Sequence, residues 1–380
     1  MDFTYDDEQQ ALREAVRGLL KAAYGDHEAR RRAVADEPGF DRALWGRLAE
    51  MGVLGLPFSE DDGGVGAGPV EIGIVCQELG RVLAPEPYLA SVVHAGGLVA
   101  AVGTTEQKAD LLGRLSAGEL VLAAADTSPG GRWASRPDGV RASGSDGTWT
   151  LDGVADPVVA GEAADLLVVT AALPDGDGTG VFLVSGDDVS RTGYAAADLT
   201  RAASVTFDGS AATPLGEPGR DLSGSIATIS DLTRIMGANQ ALGVMQSQVR
   251  ATTEYLKSRK QFGVTLNTFQ ALTFRAADMY VELELAHSMV DWATMTIASG
   301  DRDLVADAAD RVGLTIASAG RHIGQEAIQL HGGIGMTAEY AVGVGTAHLE
   351  VLDQWLGNAH HHLTRLSARV TDHELVEVSS

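Results

Sequence analysis

Between Leu120 and Pro218 the chain reads LVLAAA (120–125), TWTLDG (148–153), DLLVVTAAL (165–173), GVFLVSG (180–186) and ASVTFDG (203–209), with clusters of Gly, Asp and Pro between these runs. Short segments rich in Val, Thr and Leu, punctuated in this way, are strands joined by turns, and their spacing predicts a compact sandwich or barrel. LPDGDGTG (173–180) reads as an exposed, turn-rich loop. On either side the period changes. Upstream, Ala11, Val16, Leu19 and Leu20 recur at helical spacing, as do Leu44, Leu48 and Met51. Gly63, Gly64, Gly66 and Gly68 interrupt that pattern, and Pro69 suits the first turn of a helix running to about Leu83. Downstream, helices are predicted over Ile226–Ser258, Thr268–Ser299, Leu304–Leu330 and His348–Thr371, and four such helices with short connections suggest a bundle. The expected fold is α+β in three parts: an N-terminal helical domain (1–119), a middle β-domain (120–218) and a C-terminal helical bundle (219–380). No strand leads into a G-x-G-x-x-G turn and helix, so a doubly wound nucleotide-binding sheet is not supported.

A length of 380 residues and a hydrophobic share of 45% provide for two or three packed cores. No apolar run is long enough to cross a bilayer, and the opening MDFTYDDEQQ is unlike a secretory signal, so a cytoplasmic protein is expected. The single cysteine, Cys76, lies in an apolar helical stretch and reads as a core residue. The formal net charge of −24 argues against nucleic acid as a partner, since phosphate backbones are held by clustered Lys and Arg. It also makes local basic clusters informative. Lysine occurs only at Lys21, Lys108, Lys257 and Lys260, and the last two flank Arg259, with Arg250 two helical turns earlier. Such a concentration of positive charge suits an anionic ligand. A solvated helix end would favour cations as well, and charge alone does not separate the two readings. The run His360-His361-His362 invites a metal reading, but consecutive helical residues point about 100° apart and cannot converge on one ion, so no metal is expected.

Four phrases, in their order and spacing, resemble the acyl-CoA dehydrogenase family over essentially the whole chain. They are Pro57 to Gly64, similar to a Pro-Glu-x-x-Gly-Gly turn; Thr233-Arg234; Arg259-Lys260-Gln261-Phe262-Gly263 followed by Phe269-Gln270; and Gln329-Leu330-His331-Gly332-Gly333-Ile334-Gly335-Met336-Thr337, with Glu339-Tyr340 close behind. The resemblance implies a helical, a β and a four-helix domain, and FAD lying at a dimer interface. It implies that Arg259, Gln261, Phe262, Gln270, Gln329, Gly332 and Gly333 reach the diphosphate and adenosine of a flavin bound mainly by the neighbouring subunit. The chemistry suits this. Arg259 offers a planar fork of donors for a diphosphate. Gly332 and Gly333 allow close backbone approach, and Gln270 and Gln329 can donate and accept at the adenosine end. Arg234 would neighbour the substrate.

The family removes the α-proton of an acyl-CoA thioester with a glutamate while hydride leaves the β-carbon for the flavin, giving the 2,3-enoyl product and a reduced flavin that passes electrons to an acceptor protein. At the two positions where relatives carry that glutamate, this chain has Leu356 and Thr233, neither of which can act as a base near neutral pH. The phrases that usually meet the flavin ring also differ: Asp126-Thr127-Ser128-Pro129 stands for one and Pro157-Val158-Val159 for the other, and His360 stands where the family favours glutamine. The half of the site that serves a neighbour's FAD is kept, and the half that would hold the chain's own is altered. Some actinobacterial members acting on sterol side-chain CoA thioesters are α2β2 heterotetramers with one catalytic chain and one that only completes the FAD site. The expectation is a partner subunit of that second kind. A self-sufficient homotetramer with a displaced base, for which Asp231, Glu339, Glu350 and Asp353 are the nearby acids, is the alternative, and a flavin-free scaffold is a third.

Overall fold

The computed structural model describes residues 4–131, 133, 138–145, 148–176, 178–337 and 340–370. The first helix, α1 (Asp7–Tyr24), begins at Asp6, whose side chain accepts from the Gln9 amide while the Gln9 side chain accepts from the Asp6 amide. This reciprocal cap satisfies two otherwise orphaned donors. There follow α2 (His27–Ala35), α3 (Arg42–Glu50), α4 (Pro69–Arg81) with Pro69 in its first turn, a wide π-type segment (Tyr88–Gly96), α5 (Gly97–Val102) and α6 (Thr105–Ser116).

Strands β1 (Leu122–Ala125), β2 (Val140–Ser145), β3 (Thr148–Val159), β4 (Leu166–Ala172), β5 (Thr179–Ser185), β6 (Ser190–Ala195) and β7 (Arg201–Pro214) form one mixed sheet. Pairings β4–β5, β5–β7, β7–β3, β3–β2 and β2–β4 close it into a ring, with β1 parallel to β4 and β6 antiparallel to β7. Closure leaves few bare edges, and the interior is filled by Leu151, Val158, Leu167, Phe182 and Val205 as a core separate from that of the helices.

The remaining chain forms α7 (Ser223–Ser258), a short hairpin β8 (Lys260–Gln261) and β9 (Val264–Thr265), α8 (Gln270–Ile297), α9 (Arg302–His331), α10 (Ala341–Leu356) and α11 (Ala359–Ala368). The C-terminal end differs from expectation. The last stretch, read as a single helix from His348 to Thr371, starts at Ala341 and is broken between α10 and α11, where Gly357 adopts φ 117°. A helix cannot run through that conformation, which only glycine takes without strain. Thr371 lies outside the described residues.

The helices α4 and α7 cross at contact distance. A Cβ added to Gly80 would fall 2.0 Å from the Gln240 carbonyl oxygen, and one on Gly243 equally close to that of Gln77. This crossing fixes the N-terminal helices on the middle of α7, while a buried polar chain ties in the barrel. His348 Nδ1 lies 2.5 Å from Asp198 Oδ2, its Nε2 lies 3.1 Å from the Gln240 amide, and Arg30 donates to the Asp198 and Leu83 carbonyls. Cys76 is fully buried, and burial pushes its thiol well above the ordinary range.

Glu86, buried beside these elements, accepts a hydrogen bond from Tyr24 Oη at 2.5 Å. Burial pushes its carboxyl up from an ordinary value near 4.5 to about 7, more than its hydrogen bonds lower it. A raised carboxyl contributes stability that is present below the unfolded value and lost as pH rises through the folded one, roughly 3 kcal/mol across this window. Glu86→Gln, which keeps the acceptor oxygen without the charge, should therefore melt higher than the parent at pH 8 and no higher at pH 4.5. An equal advantage at both pH values would remove titration as the cause.

Candidate functional site

Two regions bring the singled-out residues together, one at each end of α7. The first is a cavity of about 240 Å³ where all three parts of the chain meet. His94 of the π-type segment, Asp126 after β1, Pro157 of β3, Thr233 and Arg234 of α7, and Leu356 at the end of α10 all line it. Thr233 and Leu356, far apart in sequence, thus share one wall. Thr233 is buried and spends its hydroxyl on the Ile229 carbonyl at 2.7 Å. Leu356 packs so tightly on α7 that a Cβ at Gly237 would come within 2.1 Å of its Cδ1. Arg234 donates through Nε to the Leu356 carbonyl at 2.9 Å and through a terminal nitrogen to Asp231 at 2.6 Å. It therefore pins the end of α10, and its charge is already matched.

Asp126 is the one carboxylate among the described residues lining this cavity. Burial alone would raise its pKa, but the His94 ring, whose Nε2 lies 3.1 Å from Oδ2, more than offsets that and holds the carboxyl below the usual range. His94 was not singled out in the sequence, and Asp126 only as the first residue of a phrase that departs from the family's ring contact. The available signal was a lone histidine in the apolar run Tyr88 to Gly96. The other nearby acids are engaged elsewhere. Asp231 lies between Arg234 and Arg365, Glu350 is 3.9 Å from Arg321, and Asp353, pushed up to about 6 by burial and by Glu350, lines a neighbouring small cavity instead. Glu339 lies outside the described residues.

Trp355 and Trp133 narrow the cavity: the Trp355 ring stands 5.9 Å from that of His94, and Trp133 Nε1 donates to the Gln354 carbonyl at 3.1 Å while stacking near His361. Pro157 faces this space, whereas Val158 points into the barrel core and Val159 lines a different cavity. A volume of about 240 Å³ falls below the roughly 300–1,000 Å³ of typical small-molecule pockets, and no hydroxyl of β3 faces it. As the described side chains stand, the space is narrow for a flavin ring and offers it no hydroxyl from β3. The three histidines have separate surroundings: His362 is buried against Asp310, His361 sits on Trp133, and His360 is exposed.

The second region lies at the far end of α7. Arg259 terminates that helix, and Lys260 to Thr265 turn back as a hairpin, with Phe262 at φ 54° and Gly263 at φ 83°. Phe262 is 93% exposed, its ring edge against Phe269 at 6.2 Å. Gln270, Gln329, Gly332 and Gly333 are exposed as well. The ends of α7 and α9 are held side by side by Tyr255 stacking on His331 at 4.5 Å, and α8 is tied to α9 by the Arg275–Glu326 pair. Gly332 leaves α9 at φ 66°, and a Cβ added at Gly263, Gly332 or Gly333 would meet nothing within 4 Å. Among the described residues Arg259 has no ion-pair partner. An open glycine backbone beside an uncommitted guanidinium fits a dinucleotide diphosphate. From Thr233 to Arg259 the helix runs about 39 Å at 1.5 Å per residue, further than one flavin dinucleotide reaches. The cavity and the basic face of one chain therefore stand at well-separated places along α7.

Residues 6–119 match the family described as acyl-CoA dehydrogenase, N-terminal domain, and residues 225–371 its C-terminal domain. Acyl-CoA dehydrogenase FadE27 of Mycobacterium tuberculosis is 32% identical over 354 residues, covering 90% of this chain and 91% of that protein. Acyl-CoA dehydrogenase IpdE2 of the same organism is 31% identical, with 89% of each chain covered. Among solved structures, the ChsE4-ChsE5 complex from Mycobacterium tuberculosis superposes with a TM-score of 0.88 at 28% identity, covering 99% of this chain and 100% of that one. A steroid ACAD variant, Tcur3481-Tcur3483, gives 0.86 at 29%, covering 96% and 98%. The full-length similarity and the matching domains at both ends show that this chain belongs to the acyl-CoA dehydrogenase family of oxidoreductases.

Proposed function

We propose that this chain is the partner subunit of an FAD-dependent acyl-CoA dehydrogenase, completing the flavin site of a second subunit that supplies the base. One observation carries the reading: the cavity at the base position holds Leu356, Thr233 and an Asp126 whose Oδ2 lies 3.1 Å from His94 Nε2, while the face bearing Arg259, Gln261, Phe262, Gln270, Gln329, Gly332 and Gly333 is open and uncommitted. Bound there, FAD supplies the hydride acceptor for α,β-dehydrogenation of an acyl-CoA thioester. Arg259 and the glycine backbone hold its diphosphate, and Gln270 and Gln329 bond its adenosine end. The assembly is α2β2, with electrons leaving to an acceptor protein in the cytoplasm. No helix among the described residues is long and apolar enough to cross a membrane. The steroid named for one relative and the paired chains of both structural relatives support a steroid-bearing acyl group and a second dehydrogenase-type chain. Exposed apolar side chains on the same helices, Phe274, Tyr280, Val281 and Leu285 on α8 and Met336 after α9, suit a permanent subunit contact.

The test is colour and mass. Purified alone, the chain should carry little or no FAD; co-expressed with a family member bearing the glutamate, it should yield a yellow complex of both chains. Stoichiometric FAD in a homo-oligomer would overturn the reading. A second reading, unaided catalysis, is favoured by the His94–Asp126 pair, which gives the cavity a proton-accepting group. The two part at Leu356→Glu. Because Pro157, Trp133 and Trp355 close the ring site, this variant alone should remain inactive towards acyl-CoA, even though a positioned base is typically worth about 10²–10⁴-fold. Turnover by the lone variant would restore the second reading.

A further inference from the structure

Beside the cavity at the base position lies a smaller one of about 70 Å³, and the two meet at a single side chain. Among the described residues Trp355 alone lines both. The same three elements build each wall. On the π-type segment His94 lines the larger cavity and Ala90, four residues earlier, the smaller. On β3 the corresponding residues are Pro157 and Val159, and on α10 they are Leu356 and Leu352. Two spaces displaced by a few residues along the same three elements are one groove with a partition across it. The partition is the Trp355 indole, whose ring stands 5.9 Å from the His94 ring and packs on the helical core.

The two ends differ in chemistry. The larger cavity holds His94, Asp126 and Arg234, whereas the smaller is walled mainly by apolar side chains, among them Phe40, Leu89, Ala90, Val159 and Val351. Its polar members are spent within the wall. Gln240 bonds His348 at 3.1 Å, Glu86 accepts from Tyr24, and Arg201 stands 3.7 Å from Glu162. A polar end and an apolar end in line suit an organic chain with a polar head. Neither space is large enough alone. With the volume of the indole added, the joined groove passes the roughly 300 Å³ at which small-molecule pockets begin.

We infer that Trp355 is the residue that denies this chain an acyl site of its own, because its indole fills the stretch of groove through which an acyl chain would reach the apolar end. The choice of an acyl thioester as the excluded ligand rests on the function proposed above; the partition rests on the cavities. Hexanoyl-CoA, and CoA as the head group without the chain, are titrated calorimetrically into the full-length protein. The parent should bind hexanoyl-CoA no more tightly than CoA. Trp355→Ala should bind hexanoyl-CoA at least about tenfold tighter than CoA, since each methylene taken from water contributes about fourfold. Its melt, lowered by the void, should rise with hexanoyl-CoA and not with CoA. Trp355→Leu leaves a smaller void and should gain in the same direction by less, which guards against a misfolded alanine variant. Ala90→Phe added to Trp355→Ala refills the smaller cavity and should return the preference to that of the parent. A tenfold preference for hexanoyl-CoA in the parent, no preference in either Trp355 variant, or a preference that survives Ala90→Phe would overturn the inference. The FAD content of the lone parent answers separately for the partner-subunit reading: stoichiometric FAD in a chain that still excludes the hexanoyl group would sink that reading and leave the partition standing.

Discussion

Asp310→Ala should destabilise the protein by about 3 kcal/mol and release its last helix. Asp310 is fully buried on α9, and its carboxylate gathers three residues of α11 and its exit: His362 Nδ1 at 3.1 Å, Arg365 Nε at 2.8 and 2.9 Å, and a terminal nitrogen of Arg369. His362 is the buried residue of α11, seated where a side chain at Gly313 would strike its ring. The docking of this helix thus rests on one charge more than on apolar area. Removing the carboxylate leaves an interior ring and a guanidinium without their acceptor, and losses of 3–5 kcal/mol are typical of broken buried pairs. Arg365 and Arg369 keep partial access to water, which places the effect at the lower end. Burial would raise the Asp310 carboxyl, but His362 and Arg365 hold it below the ordinary range. Its contribution is therefore present above the unfolded value near 3.9 and lost as pH falls through the folded one. Thermal melts and amide exchange of residues 359–368 in variant and parent measure both consequences. A variant within about 0.5 kcal/mol of the parent would mean that α11 is held by other contacts.

That anchor was not read from the sequence. His362, Arg365 and Arg369 fall at helical spacing on one face, but nothing local says that a buried aspartate some fifty residues earlier receives them. Strands β1, β3, β4, β5 and β7 were readable as short apolar or β-branched runs closed by Gly, Asp or Pro, whereas β2 (VRASGS) and β6 (SRTGYA) were not, and the long helices were readable because their apolar period is sustained. The break at Gly357 was not, since Trp355, Leu356 and the residues after Asn358 all tolerate a helix, and a lone glycine interrupts one only when the tertiary structure drives its φ positive. Within β3, Pro157 and Val159 do not share one environment, because the register shifts between Ala155 and Val158, resetting the alternation of faces. The placing of Leu356 beside Thr233 came through resemblance alone, as periodicity cannot bring together the ends of two helices separated by more than a hundred residues.

Arg259→Ala should leave the fold and assembly intact while a co-expressed complex loses flavin and turnover together. The motivation is its position: the end of α7, exposed, without an ion-pair partner among the described residues, beside a hairpin and a glycine turn with room for a ligand backbone. A charge-assisted bond to a diphosphate contributes about 1.5–3 kcal/mol, so truncation should weaken FAD retention by about 10–100-fold. A residue that only favours the helix terminus contributes about 0.3–1 kcal/mol and would barely change flavin content. The two differ in where the loss appears. On the partner-subunit reading, with the cavity and the basic face of one chain about 39 Å apart, the flavin held by Arg259 has its ring in the other subunit, and the defect should show in that subunit's activity. FAD content and acyl-CoA oxidation of the reconstituted complex, read beside a melt in saturating FAD, make the comparison. Unchanged flavin retention would return Arg259 to the solvated helix end. A complex that separates even in excess FAD would make it a residue of assembly instead.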